Sequence, residues 1–112
     1  MKVSIAQTKP IKGNIEKNLE NHLKFIEKAT QKQADIIVFP ELSLTGYEPN
    51  LSRELATNKK DKRFEIFQEV SDTKKITICV GVPTKDKGNI FITMLIFRPD
   101  SEIIQYSKQH LY

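Results

Sequence analysis

Ile36-Ile37-Val38-Phe39-Pro40-Glu41-Leu42-Ser43-Leu44-Thr45-Gly46-Tyr47 is an apolar run that ends on a proline and then delivers one carboxylate into a glycine-containing loop. Residues 36–39 are too few for a helix and rich in β-branched side chains, so they read as a strand buried on both faces. A carboxylate carried off the end of such a strand is a candidate for proton transfer. From spacing alone a loop or helix cap is the more ordinary reading.

Working outward, Val3, Ile5, Ala6 and Gln7 suggest a first strand closed at Lys9-Pro10, since proline has no N–H to give a ladder. Asn14 is placed to cap a helix running to about Gln33, with Ile15, Leu19, Leu23 and Ile26 at helical spacing. Downstream, residues 48–60 read as an irregular loop with room for a short helical turn. Asp61 caps a second helix in which Phe64, Phe67 and Val70 share a face. Ile76–Val82 is a buried strand expected to stop at Pro83, and Asp86-Lys87-Gly88-Asn89 turns the chain into an antiparallel strand over Ile90–Phe97. After Pro99-Asp100-Ser101, residues 103–106 form a short last strand leading to Lys108. The order β-α-β-α-β-β-β predicts an α/β protein, a mixed sheet with two helices on one face.

The 112 residues suffice for one domain and exclude a second full one. No apolar run approaches the roughly 18 residues of a membrane span, and Met1-Lys2-Val3-Ser4-Ile5-Ala6 lacks the apolar core of a secretory signal; a cytoplasmic protein is expected. The net charge of +4 raises a nucleic-acid reading, but the one basic run, Lys59-Lys60-Asp61-Lys62-Arg63, is interrupted by an acid and carries no interleaved aromatic for base stacking. No Cys/His cluster has zinc-ligand spacing.

The segment Phe39-Pro40-Glu41-Leu42-Ser43-Leu44-Thr45-Gly46-Tyr47 resembles the glutamate motif of the carbon–nitrogen hydrolase (nitrilase-like) superfamily, and Tyr106-Ser107-Lys108-Gln109-His110-Leu111 resembles its lysine motif. The opening Val3-Ser4-Ile5-Ala6-Gln7 and the Val80-Gly81-Val82-Pro83 strand end match family habits too, so the resemblance covers essentially the whole chain. It implies half of an α-β-β-α sandwich, with residues 1–112 as a single partial domain cut after the lysine motif. It also implies a Glu-Lys-Cys site, with neither metal nor cofactor, that hydrolyses small amides, carbamoyl compounds or nitriles through a thioester. In that scheme Glu41 is general base and acid, Lys108 stabilises the oxyanion, and Tyr47 lines the substrate pocket, although packing explains Tyr47 equally well.

The family pattern breaks at the nucleophile. Cys79 is the one cysteine, and Ile-Thr-Ile-Cys-Val-Gly-Val is the setting of a packed, inert thiol; the family's nucleophile follows the lysine motif. Ile92 and Ser101 stand where relatives often have Asn and Gly. His22 falls among polar positions of the first helix and is expected to be exposed, His110 to pack or bond backbone, and Glu48 to lie on a surface loop. Half a sandwich leaves one sheet face bare, so a homo-oligomer or a complementary C-terminal fragment is the expected partner. The rival reading is a non-catalytic assembly module that docks through that face.

Overall fold

The computed structural model describes residues 1–46 and 55–110, with side chains described as far as Ser107. Helix α1 spans Ile15–Gln31, and Asn14 caps it by accepting the Lys17 N–H at 3.0 Å. Its far end closes when Gln33 turns left-handed (φ 61°), so that Gln33 N–H reaches the Thr30 carbonyl and Ala34 N–H the Ala29 carbonyl. Asp61 caps a single 3-10 turn, Lys62–Phe64, that runs directly into α2, Glu65–Lys74. Most of the loop expected over residues 48–60 lies outside the described residues.

Five strands form one sheet in the order β1 (Val3–Ile5), β2 (Ile36–Val38), β3 (Thr77–Asp86), β4 (Asn89–Phe97), β5 (Ile104–His110). The pairs β1–β2 and β2–β3 are parallel, as helical crossovers require, and β3–β4 and β4–β5 are antiparallel. The β3–β4 hairpin turns through Lys87 (φ 51°) and Gly88 (φ 82°), a two-residue loop of the twist that matches the strands.

One sheet face carries the core. Ile37, Ile78, Val80, Val82, Leu95 and Phe97 are buried there against Ile26 and Ala29 of α1 and Phe64 and Phe67 at the start of α2. The other face is apolar and partly exposed, most of all at its two edge strands. Strand register lines up Ile5, Val38, Cys79, Ile96 and Ile104 as one row across all five strands. Ile5 is 75% and Ile104 39% exposed, and in the neighbouring row Tyr106 is 61% exposed. The expected two-face burial of residues 36–39 therefore holds on one side only: Ile37 is buried, Ile36 and Val38 half-buried.

Pro83 does not end β3, contrary to expectation. Its carbonyl accepts the Thr57 N–H and Lys85 N–H reaches the Thr57 carbonyl, so the proline nitrogen faces the side that β2 has already left. No ladder bond is lost, and the strand continues to Asp86.

Candidate active site

Glu41 sits on a four-residue excursion between two sheet bonds. Phe39 N–H donates to the Cys79 carbonyl (2.9 Å) and Leu44 N–H to the Gly81 carbonyl (3.0 Å), so residues 40–43 are ejected from the plane between them. Ser43 N–H closes back on the Pro40 carbonyl at 3.2 Å, and Thr45 and Gly46 N–H both reach the Leu42 carbonyl. Leu42 takes a left-handed φ of 50° with its side chain buried, while Glu41 beside it is exposed.

The excursion rests on Gly81. A Cβ at that position would lie 2.5 Å from the Leu42 nitrogen and 2.6 Å from the Pro40 oxygen. Gly81 is opposite Met94 and alternates with Val80 and Val82, so the turn lies over the open face rather than the helical one. That contact is the physical reason for glycine within Val80-Gly81-Val82-Pro83.

Beneath the turn lies a polar cluster that the sequence reading missed. His22, expected on the surface, is 1% exposed, as is Asn18. The Ser43 hydroxyl oxygen accepts the Gly81 N–H at 3.1 Å and lies 2.8 Å from His22 Nε2. His22 Nδ1 lies 2.6 Å from the Asn18 carbonyl, and its ring stacks on Phe39 at 4.0 Å. Burial holds the His22 pKa down to about 4, so the imidazole is neutral. The Asn18 amide donates to the Ile11 and Leu44 carbonyls. A signal was present: Ile15, Asn18, His22, Ile26 and Ala29 are the buried stripe of α1, with Leu19 and Leu23 on its flank.

Lys108 lies inside β5 rather than beyond a shorter strand. Thr93 pairs with Ser107 and Ile92 with Gln109, which leaves Lys108 as the unpaired residue of a bulge. Bulges break the ladder locally and re-aim a residue. On the helical face the bulge is preceded by a hydroxyl ladder: Thr84 to Thr93 at 2.6 Å and Thr93 to Ser107 at 3.2 Å. Register places Gly81, Met94 and Tyr106 in one row, and the lysine bulge lies at the level of Val82 and Pro83, one to two residues farther along β3 and two strands, or about 10 Å, across the sheet. Tyr47 and Glu48 lie outside the described residues. Cys79 is enclosed between Val38 and Ile96 in the apolar row, and burial raises its thiol pKa, which suppresses the nucleophilic thiolate. Among the described residues no group of three His, Cys, Asp or Glu is placed to hold a metal ion, and no helix is long and apolar enough to cross a membrane.

Known proteins resemble this chain in sequence and fold. The chain is 28% identical over its whole length to the protein N-terminal amidase of Saccharomyces cerevisiae and 29% identical over 98% of its length to the glutamine-dependent NAD(+) synthetase of Acinetobacter baylyi. It spans only 27% and 20% of those two proteins. A crystal structure of an N-terminal amidase with a Gln-Val peptide superposes with a TM-score of 0.79 at 25% identity, covering 95% of this chain and 27% of that one. Saccharomyces cerevisiae Nit3, of the nitrilase superfamily, shares the fold at a TM-score of 0.83 and 22% identity over 96% of this chain and 44% of its own. The family match runs through residues 2–112, and the chain belongs to the carbon-nitrogen hydrolase family.

Proposed function

We propose that this chain forms the N-terminal part of a hydrolase for non-peptide C–N bonds in amides, carbamoyl compounds or nitriles. In this reading Glu41 is the general base and acid, Lys108 faces the developing oxyanion, and a cysteine outside residues 1–112 is the nucleophile. Glu41 takes the thiol proton as sulfur bonds to the substrate carbon. It returns the proton to the departing amine, then activates the water that cleaves the thioester. A lysine cation close to the tetrahedral oxygen stabilises the charge that appears there. The observation that supports the reading is that the glutamate turn, packed on Gly81, and the lysine bulge, level with Val82 and Pro83, lie within two residues of each other along one sheet. The relative crystallised with a Gln-Val peptide is named an amidase, which supports an amide-type substrate here.

The test is complementation. The chain alone is expected to release no ammonia from small amides, nitriles or carbamoyl amines; combined with a complementary C-terminal fragment that carries a cysteine, it gains activity. E41Q and K108A each remove that activity, and hydrolysis that survives E41Q in the complex refutes the assignment. The open apolar row favours a second reading, an assembly module that docks through the sheet without catalysis. There, binding to the complementary fragment persists in E41Q and no turnover accompanies it.

A further inference from the structure

Because residues 40–43 leave the sheet, the ladder does not hold them, and something else must set where Glu41 stands. Backbone contact with Gly81 blocks motion toward the sheet. Sliding along the surface is opposed by the Ser43–His22 pair, in which every proton has one allowed place. A carbonyl only accepts, so His22 Nδ1 carries the hydrogen bound to the Asn18 oxygen. In the neutral ring Nε2 is then an acceptor, so the Ser43 hydroxyl donates to it while its oxygen takes the Gly81 N–H. We infer that His22 and Ser43 are positioning residues for the Glu41 carboxylate. A directed chain, Gly81 N–H to Ser43 hydroxyl to His22 to the Asn18 carbonyl, locks the glutamate turn to β3 and α1 together.

Directionality is what apolar packing does not supply. A methyl against Phe39 tolerates a slide of a few tenths of an ångström, whereas three successive hydrogen bonds lose strength steeply with distance and angle. A general base displaced by 1 Å costs on the order of 100-fold in rate. A serine 2.8 Å from a histidine nitrogen also has the geometry of a nucleophile and its base. Ser43 is 0% exposed and its oxygen is already occupied by the Gly81 N–H, so the pair serves as a latch and not as a reaction centre.

The inference rests on Glu41 being the base, yet its test needs no turnover. In the full chain, H22F keeps the stacking on Phe39 and loses the acceptor, whereas H22Q keeps an acceptor for Ser43 and loses the ring. S43A removes one oxygen. Hydrogen exchange at Gly81 and Leu44 is expected to rise about tenfold in S43A and H22F, the loss of a bond worth about 1.4 kcal/mol. The β3–β4 ladder amides stay unchanged and H22Q stays close to wild type. The Glu41 side-chain carboxyl 13C signal moves or broadens in the same two variants and is restored in H22Q. The reverse order, with H22F like wild type and H22Q loosened, overturns the inference in favour of packing. If H22F does not fold, S43A decides: unchanged Gly81 exchange and an unmoved Glu41 signal overturn it. In the complemented enzyme, E41Q activity reports separately on Glu41 as base, so the two ideas fail by different signals.

Discussion

Replacing Gly81 with alanine isolates the contact on which the glutamate turn depends. The backbone of Gly81 is not in the left-handed region, unlike Gly13, Gly46 and Gly88, so an alanine meets no torsional objection there. In the unfolded chain alanine lowers entropy and favours folding by about 0.4–1 kcal/mol. Against this, the new Cβ is 2.5 Å from the Leu42 nitrogen, 2.6 Å from the Pro40 oxygen and 3.0 Å from the Glu41 carbonyl carbon. Ordinary contact begins near 3.4 Å, so the turn must retreat by about 0.9 Å, and the obstacles are backbone atoms rather than side-chain tips that swing away. Overpacking of this kind costs about 1–3 kcal/mol, leaving G81A destabilised by about 1–2 kcal/mol. For a domain of this size that lowers Tm by about 5–10 °C.

The control is G88A. Gly88 has φ +82° and nothing within 4 Å of its Cβ, so that variant carries strain of about 1 kcal/mol without a clash. Thermal unfolding with amide chemical shifts separates the two. G81A moves the signals of residues 40–44, whereas G88A moves those of residues 86–89 and leaves the turn alone. In a complemented enzyme the retreat of Glu41 predicts a loss of about 100-fold in kcat/KM for G81A alone. A G81A protein with unchanged Tm and unmoved signals at residues 40–44 refutes the claim that this glycine exists to seat the turn.

Two buried or paired groups set the acid response. His22 is held down to about 4 by burial against 6.5 when exposed, so the stability it confers is complete above about pH 6.5 and is lost as pH falls toward 4, by about 3 kcal/mol. Urea midpoints between pH 7 and 4 measure that slope, and H22Q lacks it. Asp61 is held to about 2 chiefly by its hydrogen bond from Arg63, so its contribution is present above about pH 3.8 and lost on acidification toward 2; D61N removes this second, lower step. T93V strips a 1%-exposed hydroxyl and leaves Thr84 and Ser107 without it, for a loss of about 1–3 kcal/mol in urea denaturation. Wild-type stability in T93V contradicts a supporting role for the hydroxyl ladder.

What was legible in the sequence was local. Asn14 and the Lys87-Gly88 turn act within a few residues and formed as read, while Asp61 caps a 3-10 turn ahead of the helix expected there. What was not legible needed a partner far along the chain. Pro83 is harmless because β2 has ended beside it, which its own neighbours in sequence do not reveal. The Lys108 bulge exists only relative to Ile92 and Thr93 of β4. His22 was misplaced because its polarity was weighed above its position: it sits four residues from both Asn18 and Ile26 on the buried stripe, and its partner Ser43 lies 21 residues away. The proline, glutamate and glycine of residues 40–46 did mark the candidate base, but the ties that seat it run to positions 22 and 81.

These ties make the two motifs unequal, and the inequality is measurable. The glutamate turn is seated at the centre of the sheet by α1 on one side and β3 on the other, all within the described residues. Lys108 lies on β5, the last strand in the sheet order, where β4 alone pairs with it among the described residues and its bulge interrupts even that ladder. An edge strand with unpaired backbone groups opens more readily than a central one. On the proposed function, Glu41 is then seated by this chain, and the lysine strand is expected to gain its frame from a complementary fragment. Hydrogen exchange before and after addition of a complementary C-terminal fragment is expected to show new protection along β5, about tenfold or more, with the amides of Leu44 and Gly81 already protected and nearly unchanged. Protection that appears first or mainly at Leu44 and Gly81 would mean that the turn is assembled by the partner, and the latch formed by His22 and Ser43 would then be too weak to hold the base on its own.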